Sequence, residues 1–407
     1  MSSRFAHFWS VFTAAPHRLL FFCGAVQIIG TPGWWLPELA ARVTGNAWLP
    51  APVLPAVWVH AFLMIYGVFP FFIFGFLFTV YPRWMAGPVI PRRAYVPVFA
   101  LLCGGFLIFY PGLYLHRLVV ALALLVFAAG WAGALWSLLS VYTNARQRGV
   151  HERLLNLALA AGLLGVGCFL IAVLSGDILF FRLAREFGIW LFLLPVVFLV
   201  AHRMIPFFSQ SALMNYIMVR PAWGPPLMLL CAGGHVLLEL AGYPAWRFLA
   251  DLPLAAAALH HSWVWQFRRS FHARLLAMLH IAFLWLGVAM VLYALQSLVL
   301  LVTGTDYFGR APLHALGIGF FTSMVVAMAS RVTLGHSGHA LSADTLTWAV
   351  LLGVNASALL RIAGEFLPSI GATLNLAAGA VWLVSLLAWV MRYAPMYLQA
   401  RADRQPG

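Results

Sequence analysis

The sequence predicts an all-α polytopic membrane protein, a bundle of about 12 transmembrane helices with the N and C termini cytoplasmic. Three observations support this fold class. The 407-residue chain is 64% hydrophobic and only 8% charged, whereas soluble domains carry about 25% charged residues. Apolar runs long enough to cross a bilayer, roughly 20 residues each, recur along the chain. The arginines fall mainly in the short segments between these runs.

Twelve apolar runs account for most of the chain. The loops between them are short, and no linker or low-complexity segment interrupts them, so residues 1–407 are predicted to form a single transmembrane domain. Residues 395–407, which end in R-A-D-R-Q-P-G, are expected to be a disordered cytoplasmic tail. The predicted spans lie near residues 18–37, 56–82, 94–112, 116–142, 152–174, 180–201, 223–242, 246–266, 272–302, 312–331, 344–367 and 372–394.

The basic residues predict the orientation of these spans. All 24 are arginines, and 17 fall at one membrane face. Because cytoplasmic loops are enriched in basic residues, this face and both termini are assigned to the cytoplasm. The same distribution explains the net charge of +14, so no nucleic-acid partner is expected. Six arginines lie at the opposite face and one, Arg361, lies within a span; the six are Arg42, Arg117, Arg182, Arg185, Arg247 and Arg310.

The four cysteines indicate no covalent framework. Each lies in an apolar stretch, and no two stand in a C-x-x-C spacing. A disulfide scaffold and a zinc knuckle are therefore not expected. The sequence also has no C-x-x-C-H motif, so any haem would be held noncovalently.

The histidines supply the first candidates for a cofactor site. There are 14 of them beside ten carboxylates, and ionisable residues within membrane spans are costly and often functional. His60 begins the second span and His314 begins the tenth, at similar depth near the outer face. Haem iron takes axial histidines, so two histidines at one depth on different helices can clamp a haem. The alternative for each is an interfacial, hydrogen-bonded histidine.

The helix after His314 carries a stripe of residues on one face. Gly317, Phe321, Met324 and Met328 follow at helical spacing. Glycine leaves room for a flat macrocycle, and the larger side chains are suited to the wall of its pocket. Small residues and methionines along one face are equally typical of helix packing, so the stripe alone does not decide between the two interpretations.

Residues 331–341 read R-V-T-L-G-H-S-G-H-A-L and follow the tenth span. They place Arg331, His336 and His339 at the predicted cytoplasmic face. Gly335 and Gly338 permit a tight turn or a helix cap. A metal or cofactor site and a plain basic cap both fit this chemistry.

Residues 314–341, H-A-L-G-I-G-F-F-T-S-M-V-V-A-M-A-S-R-V-T-L-G-H-S-G-H-A-L, closely resemble the most characteristic stretch of the NnrS family. That stretch has H-A-L, a glycine-bearing helix, an arginine and then T-L-G-H followed by serine or threonine and glycine. Residues 58–84 (W-x-H-A, then G-F-L-F-T-V-Y-P-R-W), 203–208 (R-M-I-P-F-F) and 279–285 (L-H-x-x-F-x-W) resemble further family motifs, in order along the chain.

The resemblance implies a haem- and copper-containing protein of the bacterial inner membrane, linked to nitric oxide metabolism, denitrification and resistance to nitrosative stress. His60 and His314 are then the axial candidates for a noncovalent haem b near the outer side. Arg83 and Arg331 are expected to contact a cofactor. Nitric oxide would be the small ligand or substrate and could reach the site from the lipid.

The resemblance also implies a second, inner metal site, expected to hold copper, with His280 and His336 as ligands. His17, at a position where the family often has another residue, is a further candidate ligand of this site. The chain departs from the family in the second span, where His60 is followed by A-F-L-M instead of the frequent A-H-E-M. One potential metal ligand and one carboxylate are thereby absent. His339 stands where the family often has arginine.

Three functions remain open at this stage. The leading hypothesis is a haem protein that binds or reduces nitric oxide, which makes it an oxidoreductase with an electron donor if nitric oxide is turned over. The first alternative is a secondary transporter, since many have twelve spans with both ends inside. Few carboxylates lie within the spans, however. The second alternative is a non-catalytic haem or copper sensor, or an assembly factor.

Overall fold

The computed structural model describes residues 3–403, which form helices and no strand. A short helix, α1 (Ser3–Phe12), precedes the longer ones, and 3₁₀ turns flank α9 at Pro244–Trp246 and Phe267–His272. The longer helices are α2 (Pro16–Thr44), α3 (Ala56–Trp84), α4 (Arg92–Leu115), α5 (Arg117–Asn144), α6 (Val150–Ser175), α7 (Ile178–Ala212), α8 (Gly224–Leu240), α9 (Phe248–Val264), α10 (Arg274–Thr303), α11 (Ala311–His336), α12 (Thr345–Phe366) and α13 (Gly371–Leu398).

The structure supports a multi-pass membrane protein. Ten of the described helices are long and apolar enough to cross a bilayer. Helices α8 and α9 match the seventh and eighth predicted spans but have only 17 residues each, so the count of twelve spans and the cytoplasmic termini stay predictions. Helix α13 continues to Leu398, four residues into the segment expected to be a disordered tail. Residues 404–407 of that segment lie outside the described part of the chain.

Three helices, α3, α7 and α11, form the centre of the bundle, and we call them the central helices. Their apolar windows are 89%, 83% and 78% buried, more than those of the other candidate spans. They are apolar on all sides because neighbouring helices cover them all round. Each is the second member of a set of four, namely α2–α5, α6–α9 and α10–α13, and α13 packs along α2. The helices therefore form a closed arrangement with a period of four.

Each central helix changes its winding in its first half. The π-helical segments are Leu63–Val68, Phe187–Leu193 and Ala315–Thr322. In α3 and α7 a proline stands two residues after the segment, at Pro70 and Pro195. Proline has no backbone N–H to donate, which breaks the regular α-helical bonding. Such π-bulges are frequent at functional sites. We call the end where the central helices begin the outer end and the other the inner end.

Candidate functional site on the central helices

The first histidine pair lies at the outer end, beside two π-helical segments. His314 directly precedes the segment of α11 and is within electrostatic range of His60 on α3. The His314 Nδ1–H donates to the Arg310 carbonyl at 2.9 Å; since a carbonyl only accepts, Nε2 of the neutral ring keeps a lone pair. The His60 ring stacks on Trp35 at 4.2 Å between centroids, and its buried Nδ1 has no partner among the described residues.

Positive charge surrounds this outer pair. Arg310 and Arg361 act electrostatically on both rings. Arg361 also donates to Glu365 at 2.5 Å and to Asn375 at 2.8 Å. Gly317 follows His314 by one helical turn, and a Cβ added there would meet nothing within 4 Å. The outer pair thus combines unpaired ring nitrogens, open space and cationic groups suited to carboxylates.

The second histidine pair lies at the inner end. His17 on α2 and His336 on α11 have ring centroids 4.7 Å apart. The Thr79 hydroxyl donates to the Gly75 carbonyl at 2.8 Å, so it accepts from His17 Nδ1 at 3.4 Å. The His336 Nδ1–H donates to the Val332 carbonyl at 3.0 Å. Both rings therefore keep an Nε2 lone pair, the form that binds metals.

The segment 331–341 separates into buried and exposed parts. Helix α11 continues to His336, five residues beyond the predicted end of the span, and thereby brings this ring to His17. His339 is exposed and lies 3.0 Å from the Ser337 hydroxyl. Arg83 at the end of α3 is within electrostatic range of both paired rings. One of the two motif histidines thus joins the inner pair and the other faces outward.

The remaining predicted residues, His280 and Arg331, contact the inner end of α7. The His280 Nε2 lies 3.1 Å from the Ser209 hydroxyl. The Arg331 guanidinium carbon lies 4.0 Å above the Phe208 ring, and Arg331 donates to the Ser211 hydroxyl at 3.3 Å. Within residues 3–403, no group of three or more His, Cys, Asp or Glu side chains has a metal-binding arrangement. The predicted inner ligands are therefore divided between two positions.

A buried His–Asp pair was not predicted from the sequence. The His235 Nδ1 lies 2.6 Å from the Asp251 Oδ1, and both residues are only 1% exposed. The His235 ring also stacks on Trp190 of the α7 π-helical segment, with 3.6 Å between centroids. Glu239, one turn from His235, instead accepts from Arg247 at 2.9 Å. Both His235 and Asp251 stand out in apolar runs, but the sequence does not show that they meet.

A second unexpected feature, a hydrogen-bonded pair of histidines, lies at the inner end of α7 and the adjoining end of α6. The Pro221 carbonyl, which only accepts, is 3.1 Å from His202 Nε2. His202 Nδ1 is therefore free to accept from His151 Nε2 at 3.1 Å. Beside them Arg203 donates to Glu152 at 2.5 Å. This arrangement holds two neutral imidazoles in a fixed order of donors and acceptors.

The chain was compared with known families and with curated proteins. The family model described as NnrS protein matches residues 11–401. No curated protein matches the sequence. The matched range contains all three central helices and both histidine pairs.

Proposed function

Because the chain belongs to the NnrS family, we propose that it is a haem- and copper-containing protein of the bacterial inner membrane that binds or reduces nitric oxide and protects against nitrosative stress. Its relation to nitric oxide and its membrane location follow from the family and the apolar helices. The observation that supports the cofactors is the presence of two histidine pairs on the central bundle whose ring nitrogens are not all used in hydrogen bonds.

The outer pair is the proposed site for haem b. His60 and His314 would hold the haem iron through their ring nitrogens. Three observations fit this assignment: the partnerless His60 Nδ1, the Nε2 lone pair that the Arg310 carbonyl leaves on His314, and the cationic Arg361. Haem carries two carboxylates, and guanidinium groups are well suited to bind them.

The inner pair is the proposed site for copper. Neutral imidazole is a good ligand for copper, and His17 and His336 each retain an Nε2 lone pair at neighbouring positions. We assign His280 to a separate position beside Ser209, where it interacts with α7. Main-chain carbonyls and Thr79 would orient these ligands, as outer-shell partners do in other metal sites.

Haem iron and copper would supply nitric oxide binding and one-electron chemistry when bound. Hydrogen bonds within the chain hold the paired histidine rings in the neutral form. The buried central helices exclude water from the middle of the bundle. The His235 Nδ1 and the Asp251 Oδ1 lie within hydrogen-bond distance, 2.6 Å apart. Reduction of nitric oxide consumes protons, so this buried pair is a candidate part of a proton path.

The first test is the absorption spectrum of the detergent-purified chain, oxidised and reduced with dithionite, with iron and copper analysis of the same sample. We expect a haem b spectrum. His314→Ala should remove haem, His336→Ala should remove copper and retain haem, and the exposed control His7→Ala should retain both. A colourless, metal-free protein from cells supplied with haem and copper would contradict the proposal and favour the transporter.

A second measurement separates an enzyme from a sensor. The haem-loaded protein is mixed with nitric oxide and an electron donor, and the loss of nitric oxide is followed with an electrode. Steady consumption of more nitric oxide molecules than there are protein molecules would exclude a pure sensor. Binding of one equivalent without further consumption would restrict the function to sensing or storage.

A further inference from the structure

A small apolar cavity lies between the three central helices. Its volume is about 50 Å³, and every residue that lines it is apolar. The lining comes from α3, α7 and α11, with one residue from α2. The residues on which the argument depends are Phe21, Phe72, Val197, Met324, Met328 and Ala329.

The cavity lies at mid-height in the bundle, between the two histidine pairs. On α11, Met324 follows His314 by ten residues and Met328 precedes His336 by eight, which at 1.5 Å per residue is about 15 Å and about 12 Å. Phe21 lines the cavity and also contacts the His17 ring edge-on, with 6.1 Å between centroids. Phe21 therefore contacts both the cavity and the inner pair.

The lining decides what can occupy this space. Water needs two to four polar partners and avoids apolar cavities of this kind. No lining side chain is more than 8% exposed, so the lining is largely shielded from lipid tails. A water-sized molecule needs roughly 10–15 Å³ of such volume, so the cavity admits a few light atoms and excludes a macrocycle. A small apolar molecule would gain dispersion contacts with the lining side chains.

We propose that this cavity is a binding site for an apolar gas molecule of diatomic size and that it holds nitric oxide between the outer and inner histidine pairs. The first half of the proposal depends only on the shape and chemistry of the cavity. The second half rests on the proposed function. Phe21, which contacts both the cavity and the His17 ring, connects the two.

Xenon is the probe for the first half, because it is apolar and binds dry cavities. Crystals or detergent solutions of the full chain are exposed to xenon, and the bound atom is located by diffraction or followed by xenon NMR. We expect one site among the central helices. Ala329→Leu should fill it and abolish binding, whereas Met328→Ala should enlarge it and strengthen binding. Ala327→Leu, on the same helix and equally buried but outside the lining, is the matched control.

Absence of xenon from the wild-type cavity, with binding in Met328→Ala also absent, would overturn the proposal. For the second half, nitric oxide association with the haem-loaded protein is timed after flash photolysis. Ala329→Leu should slow it, and Ala327→Leu should not. An unchanged rate despite lost xenon binding removes nitric oxide from this cavity and leaves the proposed function standing. If the chain binds xenon but takes up no haem, the gas-binding cavity stands and the proposed function is contradicted.

Discussion

In the described part of the chain, the buried carboxylates are held next to basic side chains. Glu186 is 3% exposed and accepts from Arg185 at 2.6 Å; Asp251 is 1% exposed and meets His235 at the same distance. Moving an ion out of water costs several kcal/mol, which only close pairing offsets. Breaking a buried pair should therefore lower the free energy of unfolding far more than breaking a surface pair. The chain contains pairs of both kinds.

Arg203→Gln tests this difference. The substitution leaves the Glu152 carboxylate, whose side chain is 3% exposed, without its 2.5 Å partner, and we expect a loss of about 3 kcal/mol of unfolding free energy. Arg42→Gln breaks the half-exposed pair with Glu38 at 3.4 Å and should cost under about 1 kcal/mol. Denaturant unfolding in detergent, followed by circular dichroism, compares the two. Equal losses would show that burial does not determine the effect.

Asp344 provides a prediction on pH. It caps α12 by accepting from the Thr347 N–H at 2.8 Å and also accepts from Arg392 at 3.0 Å. Partial burial raises the pKa of Asp344, but the bonds from Thr347 and Arg392 outweigh burial and leave this pKa below its usual value. The stabilisation is thus present above the unfolded pKa and is lost as pH falls through the folded pKa.

Asp344→Ala should accordingly lower the thermal midpoint near neutral pH, as the loss of a cap costs about 1 kcal/mol. The difference from wild type should shrink as pH falls below about 4, near the reference pKa of an aspartate. The measurement is the unfolding temperature in detergent at a series of pH values. A constant difference at every pH would contradict the assignment.

Sequence reasoning placed individual residues better than it paired them. The similar depth of His60 and His314 followed from counting along two apolar runs, and the structure puts both at the outer end beside π-helical segments. Their role as ligands stays a prediction. By contrast His235 and Glu239 share a helix face, yet one pairs with Asp251 and the other with Arg247. Partners on other helices depend on packing, which local spacing does not specify.

At the scale of the elements, the π-helical segments of α3 and α7 pack directly on each other. Gly188 in the α7 segment faces Ile65 and Tyr66 in the α3 segment. The Tyr66 hydroxyl donates to the Ala184 carbonyl at 2.7 Å. Glycine at 188 is what permits this approach, since a Cβ there would lie 2.5 Å from Ile65 Cγ2 and 2.7 Å from the Tyr66 hydroxyl.

Gly188→Ala should force the two segments apart and lower stability by about 1–3 kcal/mol, the usual cost of overpacking. Gly167→Ala on α6 is the control, because a Cβ there meets nothing within 4 Å, and alanine improves helix propensity by up to about 1 kcal/mol. Unfolding temperatures of both variants in detergent give the comparison. A Gly188→Ala protein as stable as Gly167→Ala would refute the close packing.

The apolar runs predicted the helices but not their internal winding. An apolar run of given length and hydrophobicity can wind as an α-helix or as a π-helix. Leu63–Val68 and its two counterparts therefore leave no hydropathy signal. Helix α11 also continues beyond the end of its apolar run. The apolar run ends at residue 331, where the polar T-L-G-H segment follows, but the helical backbone continues to His336. This polar turn is packed beside α2 and α13, so it need not be apolar as a lipid-facing span must be.

For the molecule as a whole, the distribution of arginines predicts which ends of the helices face the cytoplasm. Cysteines placed at exposed loop positions test this in intact spheroplasts with a membrane-impermeant maleimide. Thr305→Cys, in the loop before α11, should react from outside, and Ser342→Cys, in the loop after it, should react only after lysis. Labelling of Ser342→Cys in intact spheroplasts would reverse the predicted topology.

The fold class was predictable because membrane insertion depends on summed hydropathy, which a sequence displays directly. The arrangement in three sets of four helices was not predictable, because corresponding helices of the sets share their position and burial but few residues. Spans two, six and ten are central, and each carries an inner-end arginine (Arg83, Arg203 and Arg331), but few of their other residues correspond. Helix neighbours are set by side-chain fit between spans, and fit is not a property of one span.

The inner pair also sets an order of events during biogenesis. His17 is the second residue of α2, and His336 is the last residue of α11. A nascent chain has inserted nearly all of its helices before these two rings can meet. Any ligand held by both is therefore acquired after translation is almost complete, and cells would contain a fully inserted but unloaded form as the immediate precursor of the loaded protein.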